Sequence, residues 1–231
     1  MIVLRNVTKT FVLNGNRKTV LRNANAVFPT GRSVGLLGRN GAGKSTLLRM
    51  ISGALDVTSG EILTDGRISF PVGFAGSFHP DMTGAQNTRF VARVYGVDAD
   101  ELCDYVADFA EIGAHFHLPV RSYSSGMKSR VAFGVSMGIP FDTYLIDEVT
   151  AVGDANFKKK SEAVFTERRA TSSAIFVSHS MTQTRKVCDA GVVLEGGAMT
   201  YYDDVEEAIE AHLRNMGSEE GRKGRPPDDD A

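Results

Sequence analysis

Apolar and polar positions along this chain follow two rhythms, one short and one helical. Near the start, Ile2, Leu4 and Val7 predict a strand, and Asn14-Gly15-Asn16 predicts a turn after it. Thr19-Val20-Leu21 and Ala26-Val27-Phe28 predict two short strands parted by polar residues. Ser33-Val34-Gly35-Leu36-Leu37 is an unbroken run of the kind seen in a strand buried on both faces. Behind a glycine-rich turn, Leu47, Leu48 and Ile51 share one helical face over residues 44–53. Residues 85–137 read as mainly helical, through Phe90, Val91, Val94 and Tyr95, then Leu102, Tyr105, Val106 and Phe109, with a break at Pro119. Residues 144–146 and 174–177 predict strands, with a helix over 158–170 between them. Residues 190–194 and 199–202 flank Gly196-Gly197 as a hairpin. A closing helix is predicted over 204–215, with Val205, Ile209 and Leu213 at intervals of four. Residues 217–231, rich in Gly, Arg, Pro and Asp, read as a disordered tail.

Composition narrows the class. The chain has 231 residues, 42% hydrophobic and 23% charged, enough for a packed core and unlike a disordered chain. Its net charge of −2 speaks against a surface that attracts nucleic acid or anionic lipid as a whole. Two distant cysteines, Cys103 and Cys188, do not make a disulfide framework or a zinc site, so a reducing cytoplasm is the natural setting. No stretch of about 18 apolar residues occurs, and Ile2-Val3-Leu4 is too short for a signal-peptide core. A membrane role would therefore run through a partner.

The chemistry begins at the glycine turn. Gly38-Arg39-Asn40-Gly41-Ala42-Gly43-Lys44-Ser45, followed by Thr46, fits the phosphate-loop pattern G-x-x-x-x-G-K-[ST]. Glycines let successive backbone N–H groups turn inward as an anion nest, and the helix behind aims its positive end at the same phosphates. Lys44 adds a cation for the β- and γ-phosphates of a nucleotide, and Ser45 offers a hydroxyl to Mg²⁺. Strand, glycine turn and helix in that order distinguish this from a chance glycine-rich turn.

Three more residues suit the same reaction. Tyr144-Leu145-Ile146-Asp147-Glu148 is an apolar strand ending in two acids. Asp147 is placed to hold Mg²⁺, and Glu148 to polarise an attacking water. His179, after the strand at 174–177, stands at the carboxyl end of a strand, where α/β sheets open their ligand crevice. There it is a candidate contact for the γ-phosphate. His115 and His117 lack a third ligand for a metal, and Lys158-Lys159-Lys160 reads as a solvated face.

Tyr123-Ser124-Ser125-Gly126-Met127 resembles the signature of ATP-binding cassette (ABC) proteins, usually Leu-Ser-Gly-Gly-Gln; Ser124 and Gly126 match and the other three positions depart. A serine hydroxyl and N–H groups at a helix start form a second phosphate clamp, to which Ser124, Ser125 and Gly126 would contribute. The resemblance places Asp154 as the aspartate of the D-loop and Phe11 as a candidate to stack on adenine. It implies an α/β P-loop NTPase of the ABC ATPase fold, with a RecA-like core and an antiparallel β subdomain. A small helical subdomain at about 77–139 would sit within an ATPase domain spanning 1–216.

A narrower resemblance rests on Ile68-Ser69-Phe70-Pro71-Val72-Gly73-Phe74-Ala75-Gly76, on Met82-Thr83-Gly84-Ala85-Gln86-Asn87, on Tyr123-Ser124-Ser125-Gly126-Met127, and on Asp147-Glu148-Val149-Thr150-Ala151-Val152-Gly153-Asp154. These are similar to the ATPases of capsular polysaccharide exporters. That group also lacks the usual Q-loop glutamine, and here Pro71 to His79 fill the loop. The resemblance implies a head-to-tail homodimer with ATP and Mg²⁺ between protomers. It also implies a separate membrane permease that carries the polysaccharide, and a peripheral place on the cytoplasmic face of the inner membrane. Other ABC exporters (of O-antigen, teichoic acid or drugs), soluble ABC ATPases of DNA repair or translation, and P-loop kinases remain the alternatives at this point.

Overall fold

The computed structural model describes residues 1–72, 78–147 and 154–223. The chain divides into two compact units, residues 1–65 with 175–231, and residues 66–174.

In the first unit, β1 (Ile2–Leu13) lies between β2 (Asn16–Phe28) and β4 (Ser59–Thr64) in an antiparallel sheet. Asn14 and Gly15 both adopt positive φ, 51° and 79°, which suits a two-residue hairpin turn to the twist of its strands. β2 is one strand, where the sequence predicted two. The polar residues between its apolar pairs belong to the exposed stretch of a long ribbon, and the register shifts more than once along it. β4 went unpredicted because its strand, Ser-Gly-Glu-Ile-Leu-Thr, is exposed and carries little apolar pattern. β3 (Ser33–Leu37) is buried at every position and pairs in parallel with β8 (Ala190–Glu195), which turns back antiparallel as β9 (Ala198–Tyr202). α1 (Lys44–Ile51), α6 (Met181–Val187) and α7 (Val205–Lys223) complete this unit. α6 was not foreseen: seven mostly polar residues show no apolar period, and only the Ser180 cap marks the start.

α7 differs from expectation in two ways. Its inward face is Val205, Ala208, Ile209, Ala211 and His212, while Leu213 is 50% exposed. Intervals of four overrun a period of 3.6, so two such steps carry Leu213 off the stripe that Val205 begins. The helix also runs to Lys223, into the stretch expected to be a tail. Each interior glycine, Gly217 and Gly221, costs a helix only about 1 kcal/mol, and no proline follows Val205 until Pro226.

In the second unit, β5 (Ile68–Pro71) pairs in parallel with β6 (Thr143–Asp147). α2 (Gly84–Tyr95), α3 (Ala99–Ala110), α4 (Ser125–Gly138) and α5 (Ala155–Arg169) surround a core rich in aromatic rings. Phe109 stacks on Phe133 with centroids 5.6 Å apart and meets Phe157 edge-on at 5.2 Å. Phe70 belongs to a second cluster with Tyr95 and Phe141. Burying a side chain of this size stabilises the fold by roughly 1.5–3 kcal/mol. α2 begins with a full capping box between Thr83 and Gln86, and buries Ala85, Asn87, Thr88 and Ala92. Phe90 and Val94 point the other way, 59% and 63% exposed. β7 (Ser173–Val177), buried throughout, straddles the border between the units.

Candidate functional site

The phosphate loop joins β3 to α1. Gly43 caps α1 with φ 111°, and a Cβ there would collide with Cγ1 of Val20, so only glycine serves. Lys44 is 8% exposed, and its ammonium donates to the carbonyls of Gly38, at 2.6 Å, and Arg39, at 3.0 Å. The loop thus closes on its own lysine. Ser45 is exposed on the first turn of α1, with Thr46 half-buried beside it.

His179 follows β7 and is exposed. With Gly38, Arg39, Asn40, Met181, His212 and Met216 it lines a cavity of about 350 Å³. Two sets of predicted residues, the first turn of the phosphate loop and the histidine, therefore meet at one site. His212 was not among the predicted residues. The signal for it was a histidine on the inward stripe of α7, which the four-residue spacing assigned to Leu213. Burial holds its imidazole below the usual range; Lys44 and Arg39 push the same way, and Glu195 opposes them. Phe11 sits near the β1–β2 turn, 40% exposed, with the Lys9 ammonium 5.1 Å from its ring centre.

The second unit carries the signature. Ser124 caps α4, its hydroxyl accepting the Met127 N–H at 3.2 Å. Ser124, Gly126, Met127, Glu111, Ile112, His115 and Arg130 line a cavity of about 380 Å³. Tyr123, at the position where the usual signature has leucine, is buried, and its hydroxyl accepts the Gly84 N–H at 3.1 Å. Gly84 must be glycine here, because a Cβ would stand 2.5 Å from that hydroxyl and 2.8 Å from Phe116.

Asp154 caps α5, accepting from the N–H groups of Asn156 and Phe157, both at 3.0 Å. Its carboxylate also meets the Arg130 guanidinium at 2.8 Å. The Phe157 N–H first, and then Arg130, hold that carboxyl below its ordinary range. Arg130 lies over the Phe157 ring at 4.5 Å, so the signature helix and Asp154 are fastened by one side chain. Lys160 departs from the expected solvated face: it bonds the carbonyls of Asp108 and Phe109 and the Glu111 carboxylate, at the C-terminal end of α3 where a cation is favoured. Asp147 ends β6, half-buried. Glu148 lies outside the described residues, as do Gly73 to Ser77 of the loop before His79. His79 itself is held by Asn87, whose side chain bonds its N–H and its carbonyl.

A known family, described as ABC transporter, matches residues 21–151, which contain the phosphate loop, the signature and the Asp147-Glu148 pair. The chain belongs to the ABC transporter family. Within it, this ABC protein stands with the ATP-binding proteins of capsular polysaccharide exporters. It is 46% identical over 219 residues to the polysialic acid transport ATP-binding protein KpsT of Escherichia coli, covering 94% of this chain and 100% of that one. It is 45% identical over 210 residues to the ATP-binding protein BexA of Haemophilus influenzae, covering 91% and 97%. The ABC ATPase fold is shown by a dimeric ATP-binding cassette bound to ADP and Pi in a post-hydrolysis state. That structure superposes with a TM-score of 0.74 at 21% identity, over 89% of this chain and 99% of that one.

Proposed function

We propose that this ABC protein is the ATP-hydrolysing subunit of an exporter that moves capsular polysaccharide across the inner membrane through a separate permease. The observation that carries the reading is the likeness to a polysialic acid transport ATP-binding protein over that protein's whole length. No described helix is long and apolar enough to cross a membrane, which fits a separate permease as the path for the polymer. The protein sits on the cytoplasmic face and docks there peripherally.

The residues divide the work in two. Gly38 to Thr46 cradle the phosphates, Lys44 neutralises their charge, and Phe11 stacks on the base. Ser45 and Asp147 offer a hydroxyl and a carboxylate, hard oxygen donors of the kind that hold Mg²⁺, which neutralises the β- and γ-phosphates when bound. Glu148 polarises the attacking water, and His179 holds the γ-phosphate end. Ser124, Ser125 and Gly126 present a hydroxyl and N–H groups to the nucleotide of a second copy, with Asp154 beside them. Each chain carries each half once, so two copies facing head to tail make two complete sites. Closure on ATP and reopening after hydrolysis drive the permease.

The test replaces the only cellular copy by Lys44→Ala. Polysaccharide is expected to accumulate inside while the surface loses its capsule, and the purified variant is expected to lose ATP hydrolysis. An unchanged surface polymer would refute the assigned cargo.

A further inference from the structure

The closing helix brings to the phosphate loop a residue that the motifs do not include. His212 is 4% exposed on α7 and lines the cavity with Gly38, Arg39, Asn40 and His179. Its Nδ1 is buried without a hydrogen bond among the described residues. So is Oε2 of Glu195, at the end of β8, the strand that pairs with β3. Native proteins pair nearly all buried polar atoms, and the exceptions concentrate where a ligand, a water or a reaction step uses them. The charged and titratable groups that face His212 are Lys44 on α1, Arg39 in the loop and Glu195 on β8, with His179 across the cavity. Burial and the two cations push its pKa below the usual range, and an imidazole has an N–H to donate in its neutral form too. A cavity that collects Arg39, the Asn40 amide and two imidazoles beside a phosphate loop suits a tetrahedral oxyanion.

We propose that His212 is a binding residue for the terminal phosphoryl group of the nucleotide, so that α7 distinguishes a triphosphate from a diphosphate. This rests on the reading that the phosphate loop holds ATP. The phosphoryl oxygens accept the imidazole N–H, and their negative charge offsets the field of Lys44 and Arg39 at the ring. When the terminal phosphate leaves, the imidazole loses that partner, and the inward stripe of α7 loses one of its contacts. Nucleotide state thereby reaches the closing helix without passing through the signature.

The experiment measures binding of the non-hydrolysable triphosphate AMP-PNP and of ADP, each with Mg²⁺, to the full-length protein and two variants. His212→Phe keeps a ring without a donor, and His212→Gln restores a donor on a similar reach. We expect His212→Phe to weaken AMP-PNP about tenfold, the effect of one hydrogen bond to a charged group, and ADP less than twofold. Glutamine should recover most of the loss. If phenylalanine overpacks the site, His212→Leu takes its place with the same expectation. An unchanged ratio of AMP-PNP to ADP affinity in a folded variant, or a loss that glutamine does not recover, would overturn the proposal and leave His212 as packing. A wild-type protein that binds neither nucleotide would overturn the ATPase reading, and this one with it.

Discussion

The departure of the signature at position 123 from the usual leucine has its reason in one hydrogen bond. Leucine at position 123 would fill the same hole but could not accept a hydrogen bond. The Tyr123 hydroxyl takes the Gly84 N–H, one of the first-turn donors of α2 that no helical carbonyl reaches. Tyr123→Phe should therefore destabilise the protein by about 1–2 kcal/mol, since it leaves a buried N–H unpaired. Urea denaturation would measure this, and a midpoint equal to wild type would show that the bond contributes nothing. At this scale the sequence was most legible where backbone chemistry dictates residue type. The spacing of Gly38, Gly43 and Lys44 admits few other uses, and the structure turns the loop around that lysine. It was least legible where a side chain acts through a fold-dependent neighbour. Nothing near Tyr123 in the chain announces Gly84, and nothing near His212 announces the phosphate loop.

Elements were legible in proportion to how much apolar surface they bury. β3, β6 and β7 are nearly wholly buried and showed as apolar runs. β4 and α6 bury little and were missed for that reason. α2 and α7 show the intermediate case: the period was right, and only part of the apolar set faces the core. On α2 the apolar residues Phe90 and Val94, one helical turn apart, face outward instead of the core. Two large apolar side chains on one exposed face suit contact with a protein partner, and the permease is the partner the proposed function requires. Replacing both, Phe90→Asp with Val94→Asp, should change folding stability by no more than about 0.5 kcal/mol each. ATP hydrolysis by the isolated protein should stay within about twofold, while capsule export falls by more than half. Export at the wild-type level would place the permease elsewhere.

The two units carry the two sets of candidate residues, the phosphate loop with His179 in one and the signature with Asp154 in the other. The order of motifs pointed to both sets from sequence, but not to the Arg130 link that fastens Asp154 to the signature helix. That link joins positions far apart in the chain, and only the packing of α4 against α5 makes them neighbours. If two copies complete each other's sites, mass measured by light scattering should double when ATP is added to Glu148→Gln. It should stay that of one chain for Lys44→Ala; a variant pair that behaves alike would argue against the head-to-tail arrangement. β3, the strand leading into the phosphate loop, lies in its sheet between β7 and β8, both of which are made only after residue 172. At about 5–20 residues per second, a ribosome takes on the order of ten seconds to make the chain between β3 and β7. Throughout that time the nascent chain carries a strand destined for full burial and a nucleotide loop without its sheet. The second unit, formed of one continuous stretch, is made whole while β3 still lacks β8.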